Sequence, residues 1–208
     1  TSLIVDPQDG RIAWTPEGTR RQAAAAAAGV AAGVAGPEDL TNVIRCITYG
    51  VPRLGVANVN AAGPLGYYQI VQGSGYVVLA LEAIHEARII PLDGRPHLPE
   101  GVRQWSGDSR GRWEGNTLVV DTTNFSRLNN VMGSDEHLHV VERLTRVAPD
   151  RIDYEITLAD ATVWAKPWTA VIRLKQSQEA IYEYACHEGN AYIMRDILVA
   201  ARAKEGAR

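Results

Sequence analysis

The octapeptide RIDYEITL, residues 151–158, alternates strictly: Ile152, Tyr154, Ile156 and Leu158 fall on one side, Asp153, Glu155 and Thr157 on the other. A period of two is the pattern of a half-buried β-strand, and no helix can sort these residues onto two faces. Working outward, Trp168–Lys175 repeats it with Trp168, Ala170, Ile172 and Leu174. His137–Val147 reads as a long extended segment before the turn Ala148-Pro149-Asp150. Upstream lie Thr117–Thr123, Ala87–Pro91, Tyr76–Glu82 and Tyr67–Gln72, the last two joined by Gly73-Ser74-Gly75 as a hairpin. Ile181–Cys186 reads as the final strand.

About eight antiparallel strands with short turns and no crossover helices exclude a parallel α/β fold. The pattern predicts a mainly β protein. An up-and-down or lipocalin-like barrel comes first, because closure removes exposed edges and leaves a ligand-sized mouth; a two-sheet sandwich is the alternative. Two helices flank this core. Thr15 is an N-cap before Pro16, opening a helix to Ala28, and Tyr192–Lys204 is amphipathic with Ile193, Ile197 and Ala200 or Ala201 on one side. Gly29, Gly33 and Gly36 weaken the far end of the first helix and Pro37 stops it. The expected organisation is one domain over 1–208: a lead-in at 1–66, irregular from 37 on, a β core at 67–190 and a closing helix at 191–208.

Composition narrows function by exclusion. The chain has 208 residues, 46% hydrophobic, with a net charge of −3, so no basic excess points to nucleic acid or an anionic membrane. Its stretches are too short to span a bilayer as a helix. Five Trp and eight Tyr stand against one Phe, weighting the aromatics toward rings with a polar handle that suit half-wet cavities. Phosphate-cradling loops, dinucleotide fingerprints and haem or iron–sulfur spacings are missing, and no cofactor is expected.

The polar residues crowd into 91–125, PLDGRPHLPEGVRQWSGDSRGRWEGNTLVVDTTNF. This stretch reads as a turn around Gly94, a long charged loop holding Trp105 and Trp113, and then a strand. Together with LHVVERLTRV (138–147) and YEYACHEGN (182–190), its segments PLDGRPH and GDSRGRWEGNTLVVDTTNF resemble a large family of uncharacterised, signal-peptide-bearing bacterial proteins. The resemblance covers residues 1–195 and implies export to the periplasm or beyond, in keeping with a chain that starts without Met. In an exported protein, Cys46 and Cys186 are simplest as one disulfide; two buried thiols are the other reading.

Candidate chemistry rests on titratable side chains. His85 follows an apolar strand beside Glu82, and His97 closes the turn Asp93-Gly94-Arg95-Pro96-His97; Asp93, Glu82 and Asp121 could orient an imidazole for proton transfer. Glu142 shares its strand face with Leu138, Val140 and Leu144, so it must line a cavity or be paired. His137 and His139 share a strand face that, with a distant His or carboxylate, could make a metal site; a solvated face is the preferred reading, and no metal ligand is assigned. Gly107-Asp108-Ser109-Arg110-Gly111 matches the hydrolase elbow in letters, but a strand follows where that motif needs a helix. The expected site is therefore a barrel-mouth pocket with Glu82, His85, His97, Asp108 and Glu142 as acid–base residues. Arg95, Arg110, Arg112, Trp113, Tyr184 and His187 would bind the ligand. The expected function is cofactor-free lyase, isomerase or hydrolase chemistry on a small molecule. A non-catalytic ligand carrier, or a subunit of a larger assembly, is the alternative.

Overall fold

The computed structural model describes residues 3–28, 34, 36–51, 67–128 and 131–205. Residues 52–66, read from sequence as part of an irregular connection, lie outside these, as do Gly29 and Gly33. Among the described residues nine strands form two antiparallel sheets: β1 (Ile4–Asp6), β2 (Tyr68–Gly73), β3 (Tyr76–Leu81), β4 (Ala87–Pro91), β5 (Asp108–Glu114), β6 (Thr117–Thr123), β7 (His139–Ala148), β8 (Arg151–Ala159) and β9 (Trp168–Lys175). The larger sheet has the order β1-β9-β8-β7-β6-β5 and the smaller is β2-β3-β4. The fold is mainly β, as expected, but the barrel does not form; two separate sheets share one core. Closure fails for a simple reason. The 16 residues between β4 and β5 leave the ladder and run over the outer face of the larger sheet instead of pairing onward.

The core lies between the sheets. Val77, Leu79 and Ile90 of the small sheet join Leu118, Val120, Val140, Leu144, Tyr154, Ile156, Leu158 and Trp168 of the large one in a single cluster. The alternation read in 151–158 holds: Tyr154, Ile156 and Leu158 are buried while their odd-numbered neighbours are half-exposed. Strand β5 lies where the sequence predicts a loop, because four charged residues, Asp108, Arg110, Arg112 and Glu114, occupy its outer face. Opposite them Ser109, Gly111 and Trp113 face the other way. Gly111 matters here, since a Cβ on it would sit 2.7 Å from both Ile90 Cγ2 and Leu92 Cδ2, so its hydrogen lets the small sheet close onto β5. The two-residue turn Gly115-Asn116, with Gly115 at φ 62°, joins β5 to β6.

Helix α1 (Pro16–Ala28) starts where its cap predicts: Gly18 N–H donates to Thr15 Oγ1 at 2.9 Å, and the Thr15 hydroxyl donates to Thr162 O at 2.7 Å. Nearby, the Trp14–Trp164 and Trp164–Trp168 edge-to-face pairs pack at centroid distances of 6.2 and 5.6 Å. Helix α2 (Cys186–Glu205) is longer than expected, and residues 181–185 are not a strand. Its inward stripe is Cys186, Asn190, Met194, Ile197, Leu198 and Ala201, while Ile193 is 48% exposed. No helix among the described residues is long and apolar enough to cross a membrane.

Cys46 and Cys186 form a disulfide, 140 residues apart, that ties the segment before β2 to the first turn of α2. Asn190 Nδ2 donates to Val43 O at 3.2 Å beside it. Closing so long a loop restricts the unfolded chain strongly, by about 5 kcal/mol on the chain-entropy estimate. Replacing both cysteines by serine should lower unfolding free energy by about 2–5 kcal/mol in urea titrations, with the β-sheet circular dichroism kept in the folded state.

Candidate functional site

Two polar clusters are built on β5, β6 and β7, one on each face. Glu142 points into the core and is fully buried. A carboxylate there must be neutralised, and its partner is Arg88 of β4, arriving from the other sheet. Arg88 Nη1 donates to Oε1 at 2.9 Å and Nη2 to Oε2 at 2.5 Å, a two-pronged fork. Nη2 also reaches Ser109 Oγ at 3.0 Å and Thr122 Oγ1 at 3.2 Å, and the Tyr154 hydroxyl donates to Glu142 Oε1. Burial works against the guanidinium charge, but Glu142 beside it more than offsets this and holds Arg88 above its ordinary value. Burial, with Glu142 adding, pushes the Tyr154 phenol well above 10.0. Both carboxylate oxygens are thus taken by the scaffold. Ser109, the serine of the elbow-like motif, serves this cluster from the core face of β5.

On the outer face the geometry is different. His97, carried by the loop before β5, lies across the sheet with Nδ1 2.9 Å from Asp108 Oδ2 and Nε2 3.0 Å from Asp121 Oδ1. Asp108 is almost fully buried and further fixed by Leu98 N–H at 3.0 Å and Arg110 Nη1 at 2.6 Å. Arg110 also donates from Nε to Pro96 O, stitching the loop to the strand. Asp121, on β6, is shared: His139 Nε2 sits 3.0 Å from its Oδ2 and 3.1 Å from its Oδ1. Asp121 therefore lies between two imidazoles. Its bond to His139, then the two histidines' charge, keep the carboxyl below the usual 3.8 against partial burial. The same bond raises His139 above 6.5. The His139 side chain is 44% exposed, and its Nδ1 takes no hydrogen bond among the described residues.

The remaining expected site residues scatter. With no barrel there is no mouth, so His85 and Glu142 share no pocket there. His85 is exposed at φ 54° in the turn before β4, and Glu82 accepts Tyr182 N–H at 2.9 Å. Arg95 forks onto Asp93 within its own turn, holding that exposed carboxyl down at about 2. Arg112 pairs with Glu114, which Arg143 also contacts. Trp113 is 46% exposed. The Tyr184 hydroxyl lies 3.0 Å from that of Tyr49, and His187 is exposed at the start of α2. His137 belongs to Asp135 rather than to His139. Among the described residues no group of three or more His, Cys, Asp or Glu is arranged to hold a metal ion.

Sequence reasoning missed Arg88. Its strand reads Ala-Arg-Ile-Ile-Pro, and the phase is inverted: Arg88 is buried while Ile89 is 67% exposed. The available signal was Glu142 itself, which required a cation from elsewhere. Asp121 figured only as one possible orienter, because period two says nothing about which loop will fold over a strand.

Glu142→Leu should cost about 3–5 kcal/mol in urea unfolding, because it strands a buried guanidinium, whereas Arg88→Met with Glu142→Leu should recover most of that loss. The outer pair titrates. Because His139 is raised, its contribution is complete below 6.5 and disappears as pH rises through its folded value; that of Asp121 is present above 3.8 and disappears as pH falls through its lowered value. In Asp121→Asn the His139 Cε1–H resonance should titrate at lower pH than in the parent protein, moving back toward 6.5. No protein-family model, no curated protein and no solved structure matches this chain.

Proposed function

We propose that the chain is an exported enzyme that performs acid–base chemistry on a small organic substrate at the outer face of β5–β7. The observation that carries this is the Asp121 carboxylate held between two imidazoles, one of them half-exposed with a nitrogen unengaged among the described residues. Asp121 accepts His139 Nε2–H and so leaves the lone pair on Nδ1, which faces outward as proton acceptor. The carboxylate stabilises the imidazolium that forms, and the proton then returns to the substrate or its leaving group. His97, anchored by Asp108 and Arg110, keeps Asp121 in place and offers a second imidazole on its other side. Proton abstraction beside a carbonyl, elimination, and hydrolysis through an activated water all use this arrangement. Export is supported by the disulfide, which persists in oxidising compartments, and by the family resemblance of its motifs.

His139→Gln and Asp121→Asn should each lower kcat/KM by about 10²–10⁴-fold on whichever ester, lactone or β-elimination substrate the parent turns over. A readout free of substrate is carbethoxylation at pH 8 followed by mass spectrometry. His139 should react faster than the exposed His137 and His187, and Asp121→Asn should remove that advantage. Equal rates at all three histidines, together with no turnover across the substrate panel, would sink the reading.

A further inference from the structure

A cavity of about 320 Å³ opens against residues 38–49 and Leu128, and it shares no residue with the outer-face histidine cluster. Its walls are held from outside. The Thr48 hydroxyl lies 2.8 Å from both oxygens of Glu86, Asn42 Nδ2 donates to Leu128 O at 3.1 Å, and Asn190 Nδ2 donates to Val43 O. The disulfide fixes Cys46, itself at φ 55°, to α2, and Tyr49 meets Tyr184 hydroxyl to hydroxyl. A segment with no helix or strand of its own over 41–51 is thus clamped at five points, and the half-open hollow it lines is preformed.

The lining carries one charge of each sign. Arg45 is half-buried and Glu38 is exposed, and neither makes an ion pair or side-chain hydrogen bond among the described residues. Nearly every other arginine that the fold half-buries is used: Arg21 on Glu17 and Asp135, Arg88 on Glu142, Arg110 on Asp108, and Arg143 on Glu114. A guanidinium set in a cavity wall and unpaired among the described residues is a ready carboxylate receptor. Leu40, Val43 and Leu128 supply the apolar part of the same lining. We propose that this cavity binds a small zwitterion of the amino-acid type, with its carboxylate on Arg45, its ammonium toward Glu38 and an aliphatic body against Leu40, Val43 and Leu128. A simple fatty acid would leave Glu38 facing an anion, and a simple amine would leave Arg45 empty. The volume suits a ligand of amino-acid size and is small for a nucleotide or a lipid.

The test is calorimetric titration of the intact 208-residue protein with three probes: L-leucine, 4-methylpentanoate, which lacks the amine, and 3-methylbutylamine, which lacks the carboxylate. Leucine should bind saturably and shift the methyl resonances of Leu40, Val43 and Leu128, and each truncated probe should bind at least about tenfold more weakly for want of one charge-assisted contact. Arg45→Gln should abolish leucine binding, and Arg45→Lys, which keeps the charge without the fork, should weaken it. Glu38→Gln should remove the preference for leucine over 4-methylpentanoate. Since Arg45 has no side-chain partner among the described residues, the melting temperature of its variants without probe should match the parent, which separates lost binding from lost folding. The proposal is overturned if 4-methylpentanoate binds as tightly as leucine to the parent protein, or if millimolar leucine leaves those methyl resonances unmoved. Neither result bears on the acid–base chemistry of His139.

Discussion

The contact on which the architecture turns is Arg88 to Glu142. It joins the two sheets across their common core, and it involves the most expensive kind of group to place there. Removing a carboxylate and a guanidinium from water costs several kcal/mol each, and only a good fork with the remaining donors and acceptors satisfied returns it. Here Ser109, Thr122 and Tyr154 supply further partners, but Arg88 Nε stays buried without a hydrogen bond among the described residues. An apolar core accepts many sheet placements of similar energy, whereas a buried charge pair accepts one. If β4 slid two residues along β5, Glu142 would meet a side chain that cannot neutralise it. The pair is therefore better understood as fixing which strand faces which than as adding net stability.

Strand alternation then does the rest. Thr122 and Asp121 are neighbours in β6, as are Ser109 and Asp108 in β5, yet one of each pair serves the buried fork and the other the outer histidines. A shift by one residue would exchange them, carrying Asp121 into the core and Thr122 to the surface. The register that neutralises Glu142 inside is the same register that presents Asp121 beneath His97 outside. Precision at the outer cluster is thus inherited from the core, without a cavity having to be built around it.

Much of the fold was legible because period two is written plainly in β8 and β9, because apolar and β-branched runs mark β3 and β6, and because Thr15-Pro16 marks a helix start. The closed barrel was not, since closure depends on whether the chain after β4 continues the ladder, and local patterning carries no information about that. In β5 the alternation was present but disguised: charge on every outward position imitates a loop when read without its Gly115-Asn116 turn. The site was legible residue by residue and illegible as a constellation. His97 and Asp108 were singled out, but grouped with Glu142, which lies on the opposite face of the sheet. Glu142 was recognised as needing a partner, and that partner, Arg88, was hidden by a strand whose most hydrophobic-looking phase is the exposed one.

The segment before β2 obeys a different logic. Over 41–51 it has no ladder to satisfy its polar groups and only Leu40, Thr48, Gly50 and Val51 of its surroundings are buried, so apolar burial alone gives it little reason to adopt one conformation. It is held instead by discrete ties: one covalent bond, a hydroxyl on Glu86, and amides on carbonyls. Such ties fix a backbone at points and leave space between them, which a packed core does not. A cavity next to a disulfide-anchored strap is then the natural by-product of how the strap is secured. His139 and Asp121, by contrast, owe their placement to a continuous hydrogen-bonded sheet that tolerates no such gap, and the loop-borne His97 docks onto it through Asp108 and Asp121. The outer histidine cluster and the strap cavity thus arise from opposite ways of ordering a chain, one through regular pairing and one through its absence.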